Sequence, residues 1–119
     1  MYDNDYDNVW ETSKSCPNGV EYGFLALAIS GDGHRLAVGD HIAYNFTGAV
    51  QVFEIDSYGC WNAIGSELRG VVSRGSFGFD VSLSKDRTRL AVRAPHYYAC
   101  AESDSCEPGE AYLYELRRK

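Results

Sequence analysis

Apolar residues in this chain alternate with polar or small ones instead of recurring every three or four positions. Leu25, Leu27 and Ile29 are interleaved with Ala26 and Ala28, and Phe79, Val81 and Leu83 with Asp80 and Ser82. A period of two predicts strands over 25–29 and 79–83, with the small side of each suited to a crowded, innermost position. The turn-forming runs SGDG and SKDR follow. RLAV then recurs at 35–38 and 89–92, and AVQVFE (49–54) and EAYLYE (110–115) alternate again. A fourth strand is expected to start at Trp10 in one case and at Trp61 in the other. No segment carries a 3.6-residue apolar period, so the pattern predicts an all-β chain.

These strands belong to two copies of one unit. ISGDGHRLAVGD begins at Ile29 and LSKDRTRLAVRA at Leu83, so Ser30, Asp32 and Arg35–Val38 match Ser84, Asp86 and Arg89–Val92 at an offset of 54. Trp10, Gly19 and Val20 match Trp61, Gly70 and Val71 at 51, and Gly48 and Glu54 match Gly109 and Glu115 at 61. Tyr22-Gly23 pairs with Phe77-Gly78. The offset drifts because the second copy has longer connections, and connections tolerate insertion where strands do not. A unit of about fifty residues with four short strands has the size of a β-propeller blade. The expected fold is therefore two four-stranded antiparallel β-propeller blades in tandem, a partial propeller. The whole chain, 1–119, forms one repeat domain, with repeats over about 10–54 and 61–115. Propellers typically have about four to eight blades. Flanking blades, a ring of several copies, or simple face-to-face packing of two sheets would each cover the faces left open. YDNDYDNVW aligns with FEIDSYGCW, so the chain opens at the end of a third strand and closes after another. That phase leaves the last copy without its fourth strand and favours the first two arrangements.

The residues Phe77-Gly78, Val81-Ser82-Leu83-Ser84, Asp86, Leu90–Val92, Ala94-Pro95 and Gly109–Glu115 carry a further signal. Their pattern resembles the FG-GAP class of propeller repeats found in the head of integrin alpha chains, and is most similar to degenerate versions in long extracellular repeat proteins. The resemblance covers nearly the whole chain and implies the fold; it implies little about function. Many such repeats carry a DxDxDG calcium loop after the first strand. Gly31-Asp32-Gly33 and Lys85-Asp86-Arg87 depart from it; one carboxylate, in the second loop beside Lys85 and Arg87, does not supply the six to eight oxygens that calcium takes, so Asp32 and Asp86 are read as turn residues and no metal is expected.

Charge narrows the partners. The 119 residues carry a net charge of −6, which argues against nucleic acid and anionic membrane surfaces. No apolar run approaches the roughly 20 residues of a membrane helix, and the acidic start MYDNDYDNVW is not a signal peptide. Cys100 and Cys106 bracket a short polar loop and suggest a local disulfide, leaving Cys16 and Cys60; four cysteines allow three connectivities. Asn45-Phe46-Thr47 is an N-glycosylation acceptor pattern. Together these point to an extracellular or secretory setting, as for a segment of a longer secreted protein.

No residue set has catalytic form, and no cofactor is expected. Asp3, Asp5 and Asp7 alternate like a calcium loop, but Asn8 and Lys14 stand at its glycine and glutamate places. Asp40-His41 lacks a placed nucleophile. The better candidate is a surface. In a propeller the second-to-third and fourth-to-first connections share one end, which would gather His41, Tyr44, Asn45, Phe46, Arg74, His96, Tyr97 and Tyr98. Tyr and Arg are favoured in binding hot spots. The alternative is that these rings cover the rims of their own blades. The expected function is a non-catalytic module that binds protein or glycan, as part of a larger propeller with flanking blades or of a homo-oligomer; the alternative is an assembly unit whose blades are completed by partner chains.

Overall fold

A computed structural model describes residues 25–96 and 109–117. They form β1 (Leu25–Ile29), β2 (Arg35–Asp40), a four-residue helical turn α1 (Ala43–Phe46), β3 (Ala49–Ile55), β4 (Trp61–Arg69), β5 (Asp80–Leu83), β6 (Arg89–Ala94) and β7 (Glu110–Glu115). The described chain is all-β, in one antiparallel sheet ordered β1-β2-β3-β4 and a second ordered β5-β6-β7. β4, which begins at Trp61, closes the first sheet against β3. The second sheet has three strands among the described residues, against the four expected of a complete unit. The expected Trp10 strand, Asp3, Asp5, Asp7, Cys16, Tyr97, Tyr98 and the Cys100–Cys106 pair lie outside the described residues. Cys60 is disulfide-bonded.

The repeat holds down to single hydrogen bonds. Ser30 Oγ donates to Asp32 Oδ1, and Ser84 Oγ to Asp86 Oδ1, both at 2.7 Å. The same serine oxygens accept from Arg35 N (3.1 Å) and Arg89 N (3.0 Å). Asp32 Oδ1 accepts from His34 N and Asp86 Oδ1 from Thr88 N. Each carboxylate thus closes its own β-hairpin, the role of a side chain that mimics a backbone turn, and Asp32 Oδ2 also pairs with Arg87 of the other sheet at 3.4 Å. The Ser84 hydroxyl first, then the Thr88 hydroxyl and N–H, hold the Asp86 carboxyl at about 2. A carboxylate depressed in the folded state stabilises the fold above its unfolded value, near 3.9, and loses that contribution as pH falls from about 4 towards 2. Ser84→Ala should move the Asp86 titration upward towards 3.8 in a carboxyl-detected NMR titration. An unmoved midpoint would refute this account of the turn.

The core lies between the sheets. Register places Ala28, Ala37, Val52 and Ile64 on one face of the first sheet, with Ala26, Gly39, Val50 and Leu68 alongside. That face meets Val81, Leu83, Leu90, Val92, Tyr112 and Tyr114 of the second sheet. The small residues expected on β1 do face a crowded neighbour: β5 lies against β1 and β2. Gly39 has no room for a Cβ because the Gly78 carbonyl occupies that space. On the far side the sheets diverge, leaving a cleft of about 240 Å³ between β4 and β7, lined by Ile64, Leu68, Tyr114 and Leu116. Phe77, in the β4–β5 connection, plugs the joint with its ring edge-on to Tyr112 (5.4 Å) and Tyr114 (6.4 Å). Two arginines cross the joint: Arg35 Nη1 donates to the Arg87 carbonyl at 2.6 Å while Nη2 holds Glu54 at 3.0 Å, and Arg87 Nε lies 3.4 Å from Asp32 Oδ2.

Candidate functional site

Three connections meet at the end of the sheets opposite the hairpin turns. They are β2–β3 (residues 41–48), β4–β5 (70–79) and the start of β6–β7 (95–96). Main-chain bonds lace them together. Ser76 N donates to the Phe46 carbonyl (2.8 Å), Phe77 N to the Thr47 carbonyl (3.1 Å), Gly70 N to the Gly48 carbonyl (3.0 Å) and His96 N to the Gly75 carbonyl (2.9 Å). Arg74 N adds a bond to Thr47 Oγ1 at 3.3 Å. Glycines make this approach possible; the space a Cβ would need at Gly48 and Gly70 is filled by the backbone of Phe77 and Thr47.

The lacing holds the backbone in unusual conformations. Tyr44 (φ 54°), Asn45 (φ 55°) and Phe46 (φ 67°) form a left-handed turn inside α1, closed by Gly48 N donating to the Ala43 carbonyl at 2.8 Å. Arg74, Ser76 and His96 also have positive φ, so six of the seven such non-glycine residues in the described chain lie at this end. Only asparagine visits that region readily; each other residue there costs about 1–2 kcal/mol. Strain of this kind persists only where surrounding bonds over-determine it, and it collects at binding and active sites.

The left-handed turn presents Tyr44 and Asn45 to solvent, with Tyr44 48% exposed. The Arg69 guanidinium sits 3.8 Å from the Tyr44 ring centroid. Glu67 Oε1 ties the group together, accepting from the Tyr44 hydroxyl at 2.6 Å and from Arg69 Nε at 3.2 Å. The bond to Glu67, with desolvation and the Glu67 charge adding to it, holds the Tyr44 phenol above its usual value. Beside it, the Arg74 guanidinium lies 5.4 Å from the Phe46 ring. A second cluster forms around Phe79, whose ring meets His41 edge-on at 4.9 Å and the Arg93 guanidinium at 5.5 Å. Asp80 fixes that arginine at 3.2 Å.

Of the residues expected on this surface, Tyr44, Asn45, Phe46 and Arg74 come together and His41 sits at the same end. His96 does not belong to the surface. It is 1% exposed, its two ring nitrogens have no hydrogen-bond partner among the described residues, and Nε2 lies 4.0 Å from Glu110 Oε1. The bond from its N–H to Gly75 folds it inward, beneath the 70–78 connection. Tyr97 and Tyr98 lie outside the described residues. Glu67 and Arg69 join the site from β4 and are not among the residues the sequence points to. Their spacing of two on one strand was the available signal, since it puts both on one face of β4 beside the connection carrying Tyr44.

No family model, curated protein or solved structure matches this chain. Among the described residues no group of three or more His, Cys, Asp or Glu side chains could hold a metal ion, and no helix is long and apolar enough to cross a membrane.

Proposed function

We propose that this chain is a non-catalytic module of β-propeller type whose loop end binds a protein or glycan ligand. The observation that carries the reading is the strained turn Tyr44–Phe46, which exposes an aromatic ring already fixed by Arg69 and Glu67. A ring with its rotamer held by a cation and a carboxylate gives contact area at little ordering cost. The guanidinium and carboxylate beside it offer donors and acceptors to hydroxyls or peptide groups. Arg74 over Phe46 continues the same chemistry along the rim. The wedge between the sheets, close at β1 and β5 and open at β4 and β7, supports the propeller reading, since blades diverge from the axis outward. The disulfide at Cys60 and the exposed Asn45 acceptor fit an oxidising, secretory setting.

The test is a binding screen of the purified chain against immobilised oligosaccharides and a displayed peptide library. Tyr44→Ala is expected to weaken any hit at least about tenfold, the cost of a modest hot spot. Arg69→Ala should fall short of that loss, because Glu67 still holds the tyrosine hydroxyl. A hit unaffected by both substitutions would place the ligand elsewhere and refute the reading.

A further inference from the structure

We infer that a second copy of this chain docks head to tail, laying the β1 strip of its first sheet on the outer face of the second sheet. The internal repeat carries the argument. The buried joint between the two sheets has two halves, and the repeat maps each half onto a face left open. On the second sheet the joint uses Val81 and Leu83. Their counterparts 54 residues earlier are Leu27 and Ile29, which are 61% and 58% exposed. On the first sheet it uses Val52, whose counterpart 61 residues later is Leu113, 81% exposed. Val38 and Phe53, on the same face as Leu27, are already buried, so the open part of that face is the β1 strip. The chain therefore shows both halves of one joint, unmated among the described residues, on opposite sides. Such a pair of unlike, complementary faces makes a heterologous contact.

Receptor chemistry is also repeated. Within the chain, Val81 and Leu83 pack on the cluster that holds Ala37, with Ala28 beside it in register; their counterparts are Ala91 and Ser82, still small. Arg35 pairs in register with Glu54 as Arg89 does with Glu115. Arg35 crosses the joint to the carbonyl of Arg87. The counterpart of Arg87 is Gly33, and both hold the left-handed conformation, at φ 63° and 76°. Arg89 of one copy thus donates to the Gly33 carbonyl of the next. At the hairpin end the Arg87–Asp32 pair of the joint has no counterpart, since Gly33 stands for Arg87, and the equivalence fails altogether at the loop end of the face. There Arg93 replaces Gly39, and Asp80 replaces Ala26, with Arg93 bonded to Asp80 at 3.2 Å. The contact is confined to the hairpin-turn half and is smaller than the joint inside the chain, so association is reversible and concentration-dependent.

Sedimentation equilibrium of the full chain over a wide concentration range tests this. The weight-average mass is expected to rise with concentration. Leu27→Glu and Leu113→Glu should each cut association at least about tenfold, as loss of a central apolar contact does. Each variant keeps one intact half, so mixing the two should restore a 1:1 dimer that neither forms alone. Circular dichroism confirms that both variants fold, and Arg89→Ala gives a second, milder probe of the same face. A wild-type chain that stays monomeric at every concentration overturns the inference. So does a Leu113→Glu chain that associates as well as wild type, because the contact would then be symmetric through β1. The loop-end ligand reading stands or falls separately, since Tyr44 takes no part in this contact.

Discussion

Phe77→Ala is expected to remove about 3–5 kcal/mol of stability, the range for truncating a large buried aromatic side chain. Phe77 is 1% exposed and belongs to neither sheet. Its ring fills the joint where Ala37 and Val50 of the first sheet face Leu90, Val92 and Ala94 of the second. Removing it leaves a cavity that neither sheet can close by shifting alone, because its backbone is bound to Thr47 on one side and Tyr112 and Tyr114 lean on its ring from the other. A domain of this size has roughly 5–15 kcal/mol in total, so the variant should sit near its unfolding midpoint in mild denaturant. Urea titration followed by tryptophan fluorescence measures the loss, and a change below about 1 kcal/mol would show that Phe77 does not hold the sheets together. Leu90→Ala, also in the joint, should cost less than Phe77→Ala, since its side chain is smaller and 7% exposed.

The same residue shows how far the amino-acid pattern reaches. Phe77-Gly78 stands out in sequence because it recurs as Tyr22-Gly23, and so its importance is readable, but not its task. A repeat marks a position as equivalent; which sheets the ring separates depends on how the 70–78 connection folds back. Strands β1 and β7 are legible nearly to the residue because apolar and small or polar positions alternate along them, and β2 and β3 because RLAV and the run after it recur in the second copy. β4 is legible only at its start. In WNAIGSELR the alternation fails at Ile64-Gly65, where Gly65 takes φ 69°, and the β3–β4 register shifts between Val50 and Val52. Phe79 reads as the first residue of a strand, yet β5 begins at Asp80, because Phe79 N is bonded to the Ser76 and Arg93 carbonyls.

The loop end divides in the same way. Tyr44, Phe46 and Arg74 can be picked out as aromatic and basic residues in connections. Their fixing partners cannot, because Glu67 and Arg69 lie on β4 and reach Tyr44 only through tertiary packing. The left-handed turn is also silent in sequence: Asn45 suits it, but Tyr44 and Phe46 do not. The burial of His96 is illegible for a related reason. A histidine after a strand gives no indication of which way the chain turns, and the bond to Gly75 that buries it joins two distant connections.

Gly48→Ala tests whether that lacing supports the site. Gly48 has φ 91°, and a Cβ there would collide with the Phe77 carbonyl and lie 2.6 Å from Phe77 N. The obstacle is backbone, so no side-chain rotation relieves it. Gly48 also donates to the Ala43 carbonyl and accepts from Gly70 N, so moving it away from Phe77 breaks the closure of the left-handed turn. Gly59 supplies the control. It has a similar φ, 84°, but nothing lies within 4 Å of an added Cβ. Gly59→Ala should cost only the conformational penalty, about 1–2 kcal/mol, and leave ligand binding intact. Gly48→Ala should cost about 3–5 kcal/mol and also release Tyr44 from its place beside Glu67 and Arg69. Paired urea titrations give the stability difference, and the Tyr44 hydroxyl titration reports the site, falling back towards its ordinary value as the bond to Glu67 is lost. Equal losses for the two substitutions would mean that backbone conformation alone sets the cost. The close approach of the β2–β3 and β4–β5 connections would then contribute nothing to holding the site.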